Sequence, residues 1–163
     1  MRIYKYLLLS FLIMSCGNSS DYYYNLACEQ EEKGDLEKAI LLLNEAIDKD
    51  ENNIWALNNR GFDFLELKKT ELAKKDFNKI IELNSSCPSG YYGLGLTAYR
   101  ENDFKTAINN FDKIIKLKGG GPNFIELEFK EGYLDQNCVE VHISKVLHFK
   151  ELSEQQMKQK ANR

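Results

Sequence analysis

Proline is nearly absent from this sequence: Pro88 and Pro122 are the only two in 163 residues. Long proline-free stretches suit helices, whose interiors proline breaks. There is no strongly basic stretch either, and the net charge is −3, so the electrostatic footprint of a nucleic-acid surface is missing. No apolar run approaches the roughly 20 residues that a membrane-spanning helix needs. A P-loop, a dinucleotide fingerprint, a nucleophile elbow and zinc-ligand spacing are all lacking, so no cofactor, metal or catalytic residue is expected. Histidine occurs only at positions 142 and 148. Cys138 and His142 lie four apart and would share a helical face, but two ligands do not make a site. A small enzyme working around Cys138, His142 and His148 therefore stands only as an alternative reading. What is present is an ordinary folding composition, 43% hydrophobic and 29% charged, enough for one domain with a modest core.

The opening "MRIYKYLLLSFLIMSC" carries Arg2 and Lys5, then an apolar run from Leu7 to Met14. That is a charged start and a short hydrophobic region, the pattern of an export signal over residues 1–15. An ordinary secretory signal cut nearby is one reading. The segment also resembles a bacterial lipoprotein signal, with Ile13, Met14, Ser15 and Cys16 standing where the lipobox would be. The resemblance implies lipidation of Cys16, a tether at 16–19 and a membrane anchor. Gly17 in place of aspartate then favours the outer membrane, facing the periplasm. Loss of Arg2 and Lys5 would take the charge from −3 to −5, so the lipid and not the protein surface would hold the membrane. Cys28, Cys87 and Cys138 would remain. Three thiols allow one bridge and a free cysteine, but not a complete disulfide framework.

Three units follow at an offset of 34: residues 20–53, 54–87 and 88–121. Their eighth positions are Ala27, Gly61 and Gly95; their twentieth are Ala39, Ala73 and Ala107. The twenty-fourth are Leu43, Phe77 and Phe111, and the twenty-seventh Ala46, Ile80 and Ile114. Each unit holds two helical patterns joined by a polar turn, seen as Gly34-Asp35-Leu36 and Asn102-Asp103-Phe104. Unit two departs at the turn with Lys68-Lys69-Thr70, where Thr70 is the expected N-cap. Period and positions resemble the tetratricopeptide repeat, which implies an all-α solenoid of helix-turn-helix units. The resemblance also implies that position eight packs on position twenty, Gly61 against Ala73 and Gly95 against Ala107. Gly93 has no such repeat-wide reason.

Residues 122–163 depart from the repeat. Ile125, Leu127 and Phe129 alternate with charged residues, as a short extended stretch would. Helical spacing returns from Val139 through Ile143, Val146 and Phe149, and the charged end is expected to fray. A terminal cap for the array is one reading of this tail. A specificity insert hinged at residues 119–121 is the other.

The resemblance further implies a groove lined by positions two, five, nine, twelve and thirteen of the first helices. The candidate contacts there are Tyr24, Trp55, Asn58, Asn59, Tyr92, Tyr99 and Arg100. Phe62 and Leu96 are expected to pack between helices instead. Trp, Tyr and Arg are the side chains that dominate interface energetics. Glu31, Glu32 and Glu66 would give the groove an acidic end. The carboxylate-clamp pattern of the family wants Lys and Asn at positions five and nine of its first unit, where Tyr24 and Cys28 stand. Asn59 alone matches it, so that activity is not expected. A membrane-tethered scaffold that binds a protein or peptide segment is the reading reached, with self-association of the array as an alternative.

Overall fold

The computed structural model describes residues 19–117 and 143–162. The signal segment with Cys16, the alternating stretch at 125–129, the glycine run at 119–121, Cys138 and His142 all lie outside the described residues. Within them are seven helices and no strand. These are α1 (Ser20–Glu32), α2 (Leu36–Lys49), α3 (Ile54–Glu66), α4 (Thr70–Leu83), α5 (Pro88–Arg100), α6 (Phe104–Leu117) and α7 (Ile143–Ala161). Neighbours pack in pairs, α1 with α2, α3 with α4 and α5 with α6, and each second helix also packs on the first helix of the next pair.

The repeat positions explain the stacking. Ala39, Ala73 and Ala107, then Leu43, Phe77 and Phe111, then Ala46, Ile80 and Ile114, are all 0% exposed. Spacings of four and three put them on one face of α2, α4 and α6. Each large member contributes about 1.5–3 kcal/mol by leaving water. The glycines opposite make room for rings. A Cβ added to Gly61 would lie 2.7 Å from the Phe77 ring, and one on Gly95 would lie 2.4 Å from Phe111. The nearest atoms to these glycines are thus those of the Phe77 and Phe111 rings, neighbours the expected pairing with Ala73 and Ala107 did not include. Gly93 also gains a reason: its Cβ would fall 2.4 Å from the ring of Phe77. The Phe77 ring is therefore clasped between α3 of its own unit and α5 of the next.

Turns between paired helices share one geometry. Gly34, Lys68 and Asn102, all at position fifteen, have φ of 77°, 58° and 62°. The amides of Asp35, Lys69 and Asp103 each reach back five residues to a carbonyl, at 3.0, 2.7 and 2.9 Å, as helix C-terminal turns do. Asp35 then accepts from the Lys38 amide at 3.2 Å, and Asp103 from the Thr106 amide at 3.1 Å. In unit two the expectation for Thr70 fails. Thr70 is the first helical residue, and the N-cap is Lys69, which makes no side-chain cap bond.

The charged C-terminal stretch does not fray; it continues as helix to Ala161. Inward-facing Val146 and Ser153 are 0% exposed, and Lys150 pairs with Asp112 of α6 at 2.7 Å. Lys160 lies 4.7 Å over the Phe104 ring. Phe149 stacks on Phe111 at 6.4 Å and meets Tyr99 edge-on at 5.6 Å. Helix α7 thus covers the side of α6 that a further repeat would otherwise occupy.

Candidate functional site

Helices α1, α3 and α5 are the first helices of their pairs and share one side of the array. Ser19 and Asn53 start the first two by accepting amide hydrogens, from Tyr22 at 3.2 Å and Ala56 at 2.9 Å. Asn53 also donates to Ser20 Oγ at 2.7 Å, and Ser20 donates to the Ala46 carbonyl at 2.7 Å. These bonds lock α1 to α3 and fix the register of their side chains.

Seven candidate contacts sort into two groups of three, with Trp55 apart from both. Tyr92 is 9% exposed, and its ring sits among Phe62, Phe111 and Phe149 at 6.2, 6.3 and 6.4 Å. Tyr99 is half-buried against Phe104 at 5.7 Å and Phe149. Both belong to an aromatic seam that joins α5 to α6 and α7, a role the unplaced tail hid from sequence reasoning. Arg100 is engaged as well: it donates to the Leu65 carbonyl at 2.6 Å and pairs with Glu66, so it closes the C-terminal end of α3. Trp55 is 38% exposed and free to meet a partner. Tyr24, Asn58 and Asn59 come together with Glu31.

This second group forms a polar cluster between α1 and α3. The Asn59 amide donates to both Glu31 oxygens, at 3.1 and 3.0 Å, and approaches the Cys28 sulfur at 3.8 Å. Asn58 donates to Asn59 Oδ1 at 3.5 Å. Burial pushes the Glu31 carboxyl up, and the Asn59 bond pulls against it. Burial also raises the Tyr24 hydroxyl and the Cys28 thiol, with Glu31 adding to both. One member escaped sequence reasoning. Asp63, one residue past the groove position held by Phe62, is only 6% exposed. Its carboxyl is pushed up to about 7 by burial first, then by the charges of Glu31 and Glu66. The signal was an acid between two phenylalanines, Phe62 and Phe64. Two oxygens here, Asn58 Oδ1 and Asp63 Oδ2, are buried with no hydrogen-bond partner.

The remaining polar residues are structural. Arg60 grips Asp76 at 2.9 and 2.7 Å and donates to Asn44 at 2.7 Å. Cys28 is a free thiol, and Cys87 is disulfide-bonded. Among the described residues no group of His, Cys, Asp and Glu is placed to hold a metal. His148 is exposed on α7 beside Phe149.

A stack of short helix pairs with a capped end and a polar face along its first helices defines an interaction solenoid, a class whose members act by holding other chains. The chain belongs to the tetratricopeptide repeat family, whose model matches residues 20–53, 56–87 and 88–119. It is 28% identical over 99 residues to a TPR repeat-containing protein of Methanocaldococcus jannaschii; the match covers 61% of this chain but only 17% of that protein. Among solved structures it resembles the Sgt2 TPR domain from Aspergillus fumigatus, with a TM-score of 0.68 and 17% identity over 88% of this chain and 82% of that one. The TPR domains of yeast Sti1, solved with an HSP90 peptide, give 0.66 and 14% over 83% and 46%. The first TPR domain of RPAP3, bound to the HSP90 peptide SRMEEVD, gives 0.58 and 20% over 65% and 86%. At these identities the likeness is one of fold.

Proposed function

We propose that this protein is a membrane-tethered interaction scaffold that holds a polypeptide segment along the face of α1, α3 and α5. The observation that carries the reading is the exposure of Trp55 on that face, 38% for the one tryptophan of the chain, because a large aromatic left in water on an interaction fold offers the kind of area that dominates interface energetics. The peptide-bound RPAP3 domain lends support, because its fold holds a peptide. The acidic end of the face argues against the same ligand: Glu31, Asp63 and Glu66 would repel an acidic peptide such as SRMEEVD.

Tethering through lipidated Cys16 is part of the proposal. Gly17 to Ser20 spans about 14 Å when extended, so the array would work close to the bilayer and meet membrane partners at raised effective concentration. Self-association through an open repeat end is the weaker reading, since α7 covers the outer side of α6. A photo-crosslinking residue placed at Trp55 should capture a defined partner in cells. The same residue at Leu72, exposed on α4, should not. Equal capture at both positions would rule out the first-helix face. Cys16→Ser should release the protein from membranes; unchanged fractionation would remove the tether.

A further inference from the structure

Helices α2, α4 and α6 carry, on their outward side, a charge pattern that changes from unit to unit. Positions twenty-two, twenty-six and twenty-nine are spaced four and three apart, so they share one helical side, opposite the buried positions. At twenty-six and twenty-nine stand Glu45 and Asp48 in unit one, Lys79 and Glu82 in unit two, and Lys113 and Lys116 in unit three. Position eighteen follows the same course with Glu37, Glu71 and Lys105. Lys79 is half-buried and the others are exposed. Lys38 and Lys75 are the remaining charges on this stripe. Unit one therefore sets three acids against one base, unit two is balanced, and unit three carries three bases alone. Glu45, Asp48, Lys113 and Lys116 enter no ion pair among the described residues. Asp48 lies in the last turn of α2, where the helix dipole favours a cation, so its sign has no local reason. On the same stripe Leu41 is 64% exposed and Leu72 is 40% exposed.

We propose that this stripe is a self-complementary surface that joins two copies of the chain, face to face, with the third unit of each lying over the first unit of the other. The two-fold axis then runs along α4. Glu45 of each copy opposes Lys113 of the other, and Asp48 opposes Lys116. The balanced middle unit lies over its own mate. Leu41 and Leu72 leave water in the contact and add apolar area. Laying unit one over unit one instead would set acids on acids and bases on bases, so charge selects the turned arrangement. Such an interface uses the same surface on both copies and closes at two. It lies apart from the repeat end that α7 covers. Exposed ion pairs are individually weak and screened by salt, so the pairing is salt-sensitive, and charge fixes its geometry more than its strength. Pairing goes beyond the scaffold reading and leaves the first-helix face of each copy open, so one dimer presents Trp55 twice.

The test is analytical ultracentrifugation of the full chain carrying Cys16→Ser, which removes lipid as a cause of assembly. A concentration series should show monomer and dimer in exchange, with the dimer weakened as salt is raised. Lys113→Glu with Lys116→Glu should weaken pairing at least about tenfold, and Glu45→Lys with Asp48→Lys should do the same. Mixing the two double variants should restore a one-to-one dimer, because one now presents acids in both end units and the other presents bases. That rescue also shows that both variants are folded. A chain that stays monomeric throughout would overturn the proposal, as would double variants that pair like wild type. So would a mixture that does not pair, or assemblies that grow past two. A crosslinker at Leu72 should join two copies of this chain, a product of twice its mass that lacks the partner caught at Trp55. Loss of the Leu72 product alone would retire the dimer, and loss of the Trp55 product alone would retire the scaffold face.

Discussion

Asp63→Asn should stabilise this protein above neutral pH, the reverse of what removing a buried polar contact usually does. In the unfolded chain the carboxyl titrates near 3.8, and in the fold it is pushed up to about 7. Below the first value both states are protonated and Asp63 costs nothing. Between the two values only the native state holds the proton, so native stability falls as pH rises through that window. Above the second value the loss is complete and constant. At about 1.4 kcal/mol per pH unit, the stretch from about pH 5 to pH 8 carries a loss of about 2.5 kcal/mol. Glu31 and Asp76 are also raised by burial and slope the same way, so wild type should lose more than this in total. The substitution removes only the share belonging to Asp63. Urea unfolding followed by the helical dichroism signal, at about pH 5 and pH 8, should therefore show a flatter pH dependence in the variant. It should also show a higher unfolding midpoint at pH 8. Parallel curves, or a variant weaker than wild type at pH 8, would refute both the burial of the charge and its repulsion by Glu31 and Glu66.

Gly93→Ala should destabilise by about 2 kcal/mol despite alanine's better helix propensity, because its Cβ meets the Phe77 ring. Phe77→Leu in the same chain should recover part of that loss in a double-mutant cycle, and additive losses would deny the contact. Lys68→Gly with Lys69→Asp should stabilise by about 1–2 kcal/mol, relieving a positive φ and restoring the missing cap; thermal unfolding will show it. Arg60→Ala should cost about 3–5 kcal/mol, since Asp76, 4% exposed, would be left buried and unpaired; Arg60→Lys should recover only part of this in urea unfolding, for want of the bidentate fork.

Much of the fold was legible because the repeat states each structural demand three times. Ala39, Ala73 and Ala107 fill one role, so any one of them checks the other two. Size alone did not show every neighbour: Gly61 and Ala73 are both small, but the Phe77 ring, one turn after Ala73, comes nearest to Gly61. The turn of unit two misled for a related reason. Thr70 is a good capping residue in composition, but the backbone puts the cap one residue earlier, at Lys69. Helix α7 was half legible: its apolar spacing was visible, but its anchors Ser153, Lys150 and Lys160 carry no apolar signal.

The binding face was harder to read because it is where the repeats stop agreeing. Position five is Tyr24, Asn58 and Tyr92, and the same register gives a half-buried polar contact, an orphan acceptor and a core aromatic. Its meaning depends on the neighbouring unit: Tyr92 is buried because Phe149 of α7 lies against it, and Asn58 is unsatisfied because Asn59 and Glu31 have already bonded to each other. A residue-by-residue transfer from the family therefore misplaces Tyr92 and Tyr99 and passes over Asp63. Charge gives the better guide. The acids on α1 and α3 oppose an acidic ligand, and the one arginine on the face, Arg100, is spent on Glu66 and the Leu65 carbonyl. What stays open to a partner is Trp55, at 38% exposure, while the orphan oxygens of Asn58 and Asp63 are closed to it.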